Sequence, residues 1–138
     1  MSYASQQLVQ DEIGGLARLT DALDDSGTGT LDPNLMQRLL DSAAGAVDGF
    51  LQGRYFTPLS PVPAIAVEAN LIFCLEKIYE RRRQGPDEEN PYRDRANEMR
   101  KRLKRIADRE ESLDAVERPA FTPGAIVSEQ SKTQGSTL

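Results

Sequence analysis

The 138-residue chain contains no His, no Trp and one Cys. Without imidazole there is no His general base, no Ser-His nucleophile pair and no His metal ligand. A single Cys permits neither an internal disulfide nor a thiolate zinc cage. Aromatic residues make up only 6% of the chain, which predicts a modest core with little room for a large ligand pocket. No apolar run approaches the ~20 residues of a membrane-spanning helix. The N-terminal Met1-Ser2-Tyr3-Ala4-Ser5-Gln6-Gln7 lacks the basic and apolar regions of a signal peptide. These absences predict a soluble, single-domain, non-enzymatic protein of a reducing compartment, with no cofactor, no metal and no membrane partner.

Charge is plentiful and uneven. The formal net charge is -5. Residues 76–109 hold 12 Lys and Arg against 8 Asp and Glu, or +4, and the remainder holds 5 against 14, or -9. Acidic residues interleave with the basic run, and neither an aromatic platform nor a Gly-rich turn accompanies it, which argues against nucleic-acid recognition. Segregated charge suits a protein that sits head-to-tail on copies of itself or on a charged partner. A solvated helix face is the plainer alternative for any one of these residues.

The apolar spacing predicts an all-α fold: a small bundle of three long helices plus short N-terminal helices, with an extended C-terminal arm. Residues 5–13 and 16–23 suit short helices separated by Gly14-Gly15. Asp32 and Pro33 form a cap-then-proline start for a helix over 33–53. Leu35, Met36, Leu39, Leu40, Ala43, Ala44, Val47, Phe50 and Leu51 occupy one half of its circumference. Near one edge of the other half lies a strip of small residues, Ser42, Gly45, Ala46, Gly49 and Gly53, suited either to a close crossing within the chain or to a subunit contact.

Three prolines between residues 58 and 63 exclude a helix or a central strand. Residues 54–63 therefore read as an extended connector pinned by Tyr55, Phe56 and Leu59. Residues 64–83 follow as the most buried helix, with Cys74 on its apolar side as a small hydrophobe. A polar turn over 84–90 contains Gly85 and Pro86. Asn90-Pro91 then repeats the cap-then-proline signature and predicts a third helix to about residue 109. Its apolar stripe, Tyr92, Ala96, Met99, Leu103 and Ile106, is narrow, so this helix should dock by one seam at the periphery. Residues 1–111 form the expected body. Residues 112–138, with Phe121, Ile126 and Val127 as sparse apolar anchors, form an arm ordered mainly by partners.

Residues 24–32 imitate a calcium loop: Asp24, Ser26 and Thr28 alternate, Gly29 takes the sharp turn, and Asp32 the ninth place. The twelfth position, where a bidentate Glu is needed, is Leu35. A tight Gly-containing turn is the better expectation. The acidic pairs Asp24-Asp25, Glu88-Glu89 and Glu110-Glu111 flank turns or helix ends, and nothing places them in the apolar cleft that acid-base work needs. Arg81-Arg82-Arg83 suits an anion or a partner carboxylate, or simply solubilises a helix end. Phosphate loops, nucleophile elbows and paired-Cys motifs are missing from the sequence.

The order of several features resembles one family. These are Met1-Ser2-Tyr3-Ala4, Leu19-Thr20-Asp21, the Asp/Gly/Thr turn closing in Leu31-Asp32, and the helix ending Gly49-Phe50-Leu51-Gln52-Gly53-Arg54-Tyr55. Pro58-Leu59 and Pro63 before an apolar helix complete the set. Over roughly residues 1–110 the chain resembles the Mu-like phage head-tail connector family. The resemblance implies a structural adaptor of the virion, assembled in the bacterial host cytoplasm. Such a protein forms a ring beneath the portal protein, follows the portal's twelvefold symmetry, extends the DNA channel and docks tail or tail-completion proteins. It implies no catalytic residue and no defined ligand site.

A head-to-tail ring needs two different complementary faces on each subunit. Candidate interface residues are Ser42, Gly45 and Gly49 on the first long helix and Arg93, Arg100, Lys101, Lys104 and Arg105 on the third. Phe121, Ile126 and Val127 are the candidate anchors of the arm. The alternative class is a small cytoplasmic helical regulator that binds protein or nucleic acid through the basic third helix. An enzyme working with carboxylates alone is the other competitor.

Overall fold

Ser5 and Gly14-Gly15 delimit the first element. In the computed structural model, which describes residues 2–24, 27–82 and 89–119, the Ser5 hydroxyl accepts the Leu8 amide at 3.4 Å and caps α1 (Gln6–Ile13). Gly14 ends this helix at φ 107°, and Gly15, at φ 119°, leads into α2 (Leu16–Leu23). Both angles lie where a Cβ carries a steric penalty, so the glycine pair is what lets two short helices fold as a hairpin.

Asp32 starts α3 (Pro33–Leu51) as expected, its carboxylate accepting the Asn34 and Leu35 amides at 2.9 and 3.4 Å. The apolar half is realised: Met36, Leu40, Ala43, Ala44, Val47 and Leu51 are buried, and Leu35, Leu39 and Phe50 lie half-buried against them. Each large side chain so buried contributes about 1.5–3 kcal/mol. The central element is α4 (Ala64–Arg82), against which α1, α2, α3 and α5 all pack, α3 most extensively. Ile65, Ala69, Ile72, Phe73, Leu75 and Ile78 bury different sides of it. Cys74 is fully buried, and burial pushes its thiol up to about 12.

Asn70 is also fully buried on α4. Its Oδ1 accepts the Tyr3 and Ala4 amides at 2.6 and 2.9 Å, and its Nδ2 donates to the Leu40 carbonyl at 3.1 Å. One amide therefore ties the N-terminal segment and α3 to the central helix, and its polar atoms are satisfied without water. Tyr3 adds a second tie. Its hydroxyl donates to Asp48 Oδ1 at 2.5 Å and accepts the Leu59 amide at 2.8 Å.

The last helix, α5 (Arg93–Ala107), docks by the expected narrow seam of Ala96, Met99, Leu103 and Ile106. Its start is a correction to the cap-then-proline expectation. Asn90 and Pro91 form a turn, and the helix begins at Arg93 after Tyr92. The Asn90 side chain accepts the Tyr92 amide at 3.0 Å while its Nδ2 donates to the Glu76 carbonyl at 2.9 Å and to Glu80 at 3.0 Å. Its hydrogen bonds to α4 hold it as a turn residue, which moves the first helical turn downstream. The expected turn containing Gly85 and Pro86 lies largely outside the described residues.

The connector between α3 and α4 is pinned by Tyr55 and Leu59, both buried, whereas Phe56 stands half exposed. Phe56 is a correction, because side chains alternate along the extended backbone at the bridge and the one after buried Tyr55 faces away from the core. Residues 112–119 run antiparallel beside 54–60: the Arg118 amide donates to Arg54, the Phe56 amide to Val116, and the Val116 amide to Ser60, at 2.8–3.1 Å. Leu113 and Ala115 pack on the core. All regular elements among the described residues are helices.

Candidate assembly interface

Arg54 stands at the junction of three parts of the fold and is only 6% exposed. It leaves the C-terminal end of α3, and its guanidinium reaches beneath the end of α5. Nη1 donates to the carbonyls of Ile106 and Glu111, both at 2.6 Å, and Nη2 to the Ser112 hydroxyl at 3.1 Å. Nε and Nη2 fork onto the Glu117 carboxylate at 3.4 Å each. The five donor hydrogens of one guanidinium thus hold a carbonyl of the last turn of α5, which also accepts the Arg109 amide at 3.1 Å, together with the following segment. Arg54, assisted by Arg109 at 3.3 Å, holds the Glu117 carboxyl below its usual range. Tyr55, fully buried, accepts the Leu113 amide on its hydroxyl at 2.9 Å. Neither role is legible from spacing. The Arg-Tyr pair stands out in the sequence only as part of a motif, and Arg54's partners lie 52–63 residues away.

The basic residues expected to face a partner already have partners in the chain. Glu76 on α4, its side chain only 10% exposed, takes Arg93 Nε at 3.1 Å and pairs with Arg100; Arg93 also pairs with Glu80. Lys101 meets Glu98 at 3.1 Å, Lys104 meets Asp108 at 2.7 Å, and Arg105 lies 3.9 Å from Glu111. Asp108 raises the Lys104 ammonium above its ordinary range. The first three pairs dock α5 on α4. The last three are exposed to solvent, where screening leaves such pairs weak. The excess positive charge of this helix is therefore knitted to local acids, which reduces the field it projects.

The small-residue strip lies on the outside. Ser42, Gly45, Ala46, Gly49 and Gly53 are exposed, and a Cβ added at Gly45, Gly49 or Gly53 would meet no atom within 4 Å. Among the described residues no segment crosses closely over it, and the strip is a smooth, open stripe along α3. Ser42 and Arg93 meet at an open groove of about 510 Å³ between α3 and α4, lined also by Leu39, Glu76, Lys77 and Glu80. Gly45 and Gly49 are not among its lining residues.

The residues imitating a calcium loop satisfy themselves. The Asp24 carboxylate accepts the Gly29 amide at 2.6 Å and the Thr28 amide and hydroxyl at 3.0 Å. These bonds, the Gly29 amide first, hold its carboxyl below the usual range. Asp25 and Ser26 lie outside the described residues, as do Glu88, Arg83 and the arm anchors Phe121, Ile126 and Val127.

The family model of bacteriophage Mu Gp36 matches residues 3–128. The chain belongs to the bacteriophage Mu Gp36 family. No curated protein matches it. In Gp36 terms the match includes the five helices of the described residues, the Arg54 junction and the antiparallel segment after α5, and it continues beyond Pro119 over Phe121, Ile126 and Val127. This agrees with the Mu-like phage part of the resemblance seen in the sequence. No helix among the described residues of this Gp36-family chain is long and apolar enough to cross a membrane.

Proposed function

We propose that this phage protein is a structural, non-enzymatic head-tail connector. Copies join as a ring beneath the portal protein, twelvefold like the portal. The ring continues the DNA channel, without sequence-specific readout, and offers a docking surface to tail or tail-completion proteins. Its place is the head-tail junction of the virion, after assembly in the bacterial host cytoplasm. The observation that carries the proposal is the family match across residues 3–128.

The geometry supports it in two ways. A head-to-tail ring requires two unlike surfaces per subunit, and the open small-residue stripe of α3 and the charge-rich outer face of α5 are unlike in chemistry. The body is braced internally by Asn70 and Arg54, so it can carry load as one unit. The regulator alternative loses ground because Arg93 and Arg100 are bound to Glu76 rather than presented to phosphates. A DNA-binding regulator would show affinity falling steeply with salt.

Electron cryomicroscopy of assembled particles tests the proposal, alongside particles made without the protein. Density fitting the helical body in a ring directly below the portal, with filled but tailless heads when the protein is missing, is the expected result. Tailed, DNA-retaining particles in its absence would overturn it.

A further inference from the structure

Between them α4 and α5 leave an open groove of about 420 Å³, with Ile72 and Met99 as its apolar floor. The described residues that line it all come from these two helices. Since α3 packs against both, it lies behind the groove, and its exposed side faces the opposite way. Arg95 in the groove is held by Glu12, and Arg102 and Arg105 by Glu111. Glu68 and Asp94, the exposed acids that line it with them, have no ion-pair partner among the described residues. The uncompensated charge of the groove is therefore negative. The exposed side of α3 carries the opposite sign. Arg38 stands there, equally without an ion-pair partner among the described residues, one turn before Ser42 and the open stripe of Gly45, Ala46 and Gly49.

We propose that neighbouring copies join side by side, the exposed side of α3 of one copy lying over the α4–α5 groove of the next, with Arg38 of the one pairing with Asp94 of the other. The inference rests on the ring reading and adds to it which surfaces meet. The two groups also match in height. In one copy α3 and α5 run parallel: Ser42 and Arg93 line the same α3–α4 groove, and further along Arg54 reaches the Ile106 carbonyl. Arg38 and Asp94 thus lie within roughly 8 Å of one level along the bundle, a step that a long Arg side chain covers. Rotation about a ring axis parallel to the bundle brings equal levels together at each contact, so the same pair forms all the way around.

Charge selects the occupant. Arg38 cannot reach its own groove, because the bundle stands between them. The residues after Pro119 carry one Lys and one Glu, so they bring no net charge to a groove whose free groups are carboxylates. A second copy brings a free guanidinium on a face with no protruding side chains beyond it. The long Glu and Arg side chains that rim the groove stand above its floor, and the glycines of the stripe let those ridges approach the α3 backbone.

The test uses the full chain assembled on portal-bearing particles, with bound copies counted by quantitative mass spectrometry. Arg38→Glu alone and Asp94→Lys alone each set like charges across the contact and should each reduce the bound copies about 10-fold. Both sites are exposed, so thermal midpoints should stay within about 2 °C of the parent. An equal mixture of the two single variants should restore assembly, because each reversed face then meets the reversed face of the other variant. One chain carrying both substitutions should restore it too. Single variants that assemble normally would overturn the proposal. So would losses that neither the mixture nor the double variant restores, the pattern of a contact with the portal or another protein. A second readout does not depend on charge: on assembled particles a short bismaleimide should join chains carrying Arg38→Cys to chains carrying Asp94→Cys, Cys74 being fully buried. Absence of that joint product would also overturn the proposal. A ring at the junction built normally by the single variants would sink the pairing alone, and restored assembly elsewhere in the particle would sink the connector reading alone.

Discussion

Arg54 has a structural role that its charge alone does not predict. Its planar fork serves two carbonyls, a hydroxyl and a carboxylate at once, a geometry the Lys ammonium cannot reproduce. Arg54→Lys and Arg54→Met should each destabilise the fold by about 2–4 kcal/mol, because the Ile106 and Glu111 carbonyls lose buried donors. Urea denaturation would measure the loss, and faster proteolysis after α5 would locate it. Burial also shapes the response to alkali, through the buried Cys74 thiol, the half-buried Tyr3 hydroxyl and the buried Tyr92 hydroxyl, which it likewise holds above its ordinary range. Burial, followed by the Asp48 hydrogen bond, pushes the Tyr3 hydroxyl from 10.0 up to about 12; burial pushes the Cys74 thiol from 9.0 up to about 12. The unfolded chain therefore releases these protons first. Stability should be full below pH 9 and fall as pH rises toward 12, with Cys74→Ala removing the part that begins near pH 9, and Tyr3→Phe reducing the part that begins near pH 10, to which Tyr92 also contributes. Urea midpoints recorded from pH 7 to 11 would check both.

The helices obey their local patterns closely, and where one departs the cause is a contact from another. Cap signals and 3.6-residue spacing place α3 and α4 to within a residue or two of their observed ends. The start of α5 moves because Asn90 hydrogen-bonds to Glu76 and Glu80 on α4, and no feature of residues 90–93 encodes that. The stripe on α3 shows the reverse. Small residues at helical spacing are visible in the sequence, but only the packed bundle shows that they face outward. Gly45→Ala and Gly49→Ala have open space and helical backbone, so each should stabilise the isolated body by about 0.5–1 kcal/mol. Gly45→Leu and Gly49→Leu should leave its unfolding midpoint near that of the parent. If the stripe is a subunit contact, the Leu variants should fail to form rings, as read by negative-stain imaging.

For the molecule as a whole, the boundary between body and arm matters most. Residues 112–119 share three main-chain bonds with 54–60, and they supply Ser112 and Glu117 to Arg54 and Leu113 to the core and to Tyr55. A chain cut after residue 119 should unfold within about 2 °C of the full chain, whereas one cut after residue 111 should lose about 2–4 kcal/mol. Calorimetry of the two would separate the contribution of the segment that closes the body from that of the residues after Pro119. The division of charge into +4 and -9 regions also changes meaning. Glu76 and Glu80 fall inside the basic stretch and hold Arg93 and Arg100, so these two arginines serve to dock α5 while the net excess of the stretch rests on its other basic residues.

What the amino-acid order determined by itself was the set of helices: caps, glycine breaks, prolines and apolar spacing act within a few residues, and each can be read where it stands. It also carried the ordered motifs that resemble a Mu-like phage family. Tertiary structure alone decided which polar groups are buried and what satisfies them. Asn70, Glu76 and Arg54 carry no local signal of their role, because their partners come from segments tens of residues away and meet only when the bundle closes. The same closure turned Phe56 outward beside Val116. That exposed pair is the product of an antiparallel pairing between residues some 60 positions apart, a distance over which hydrophobic periodicity says nothing about register.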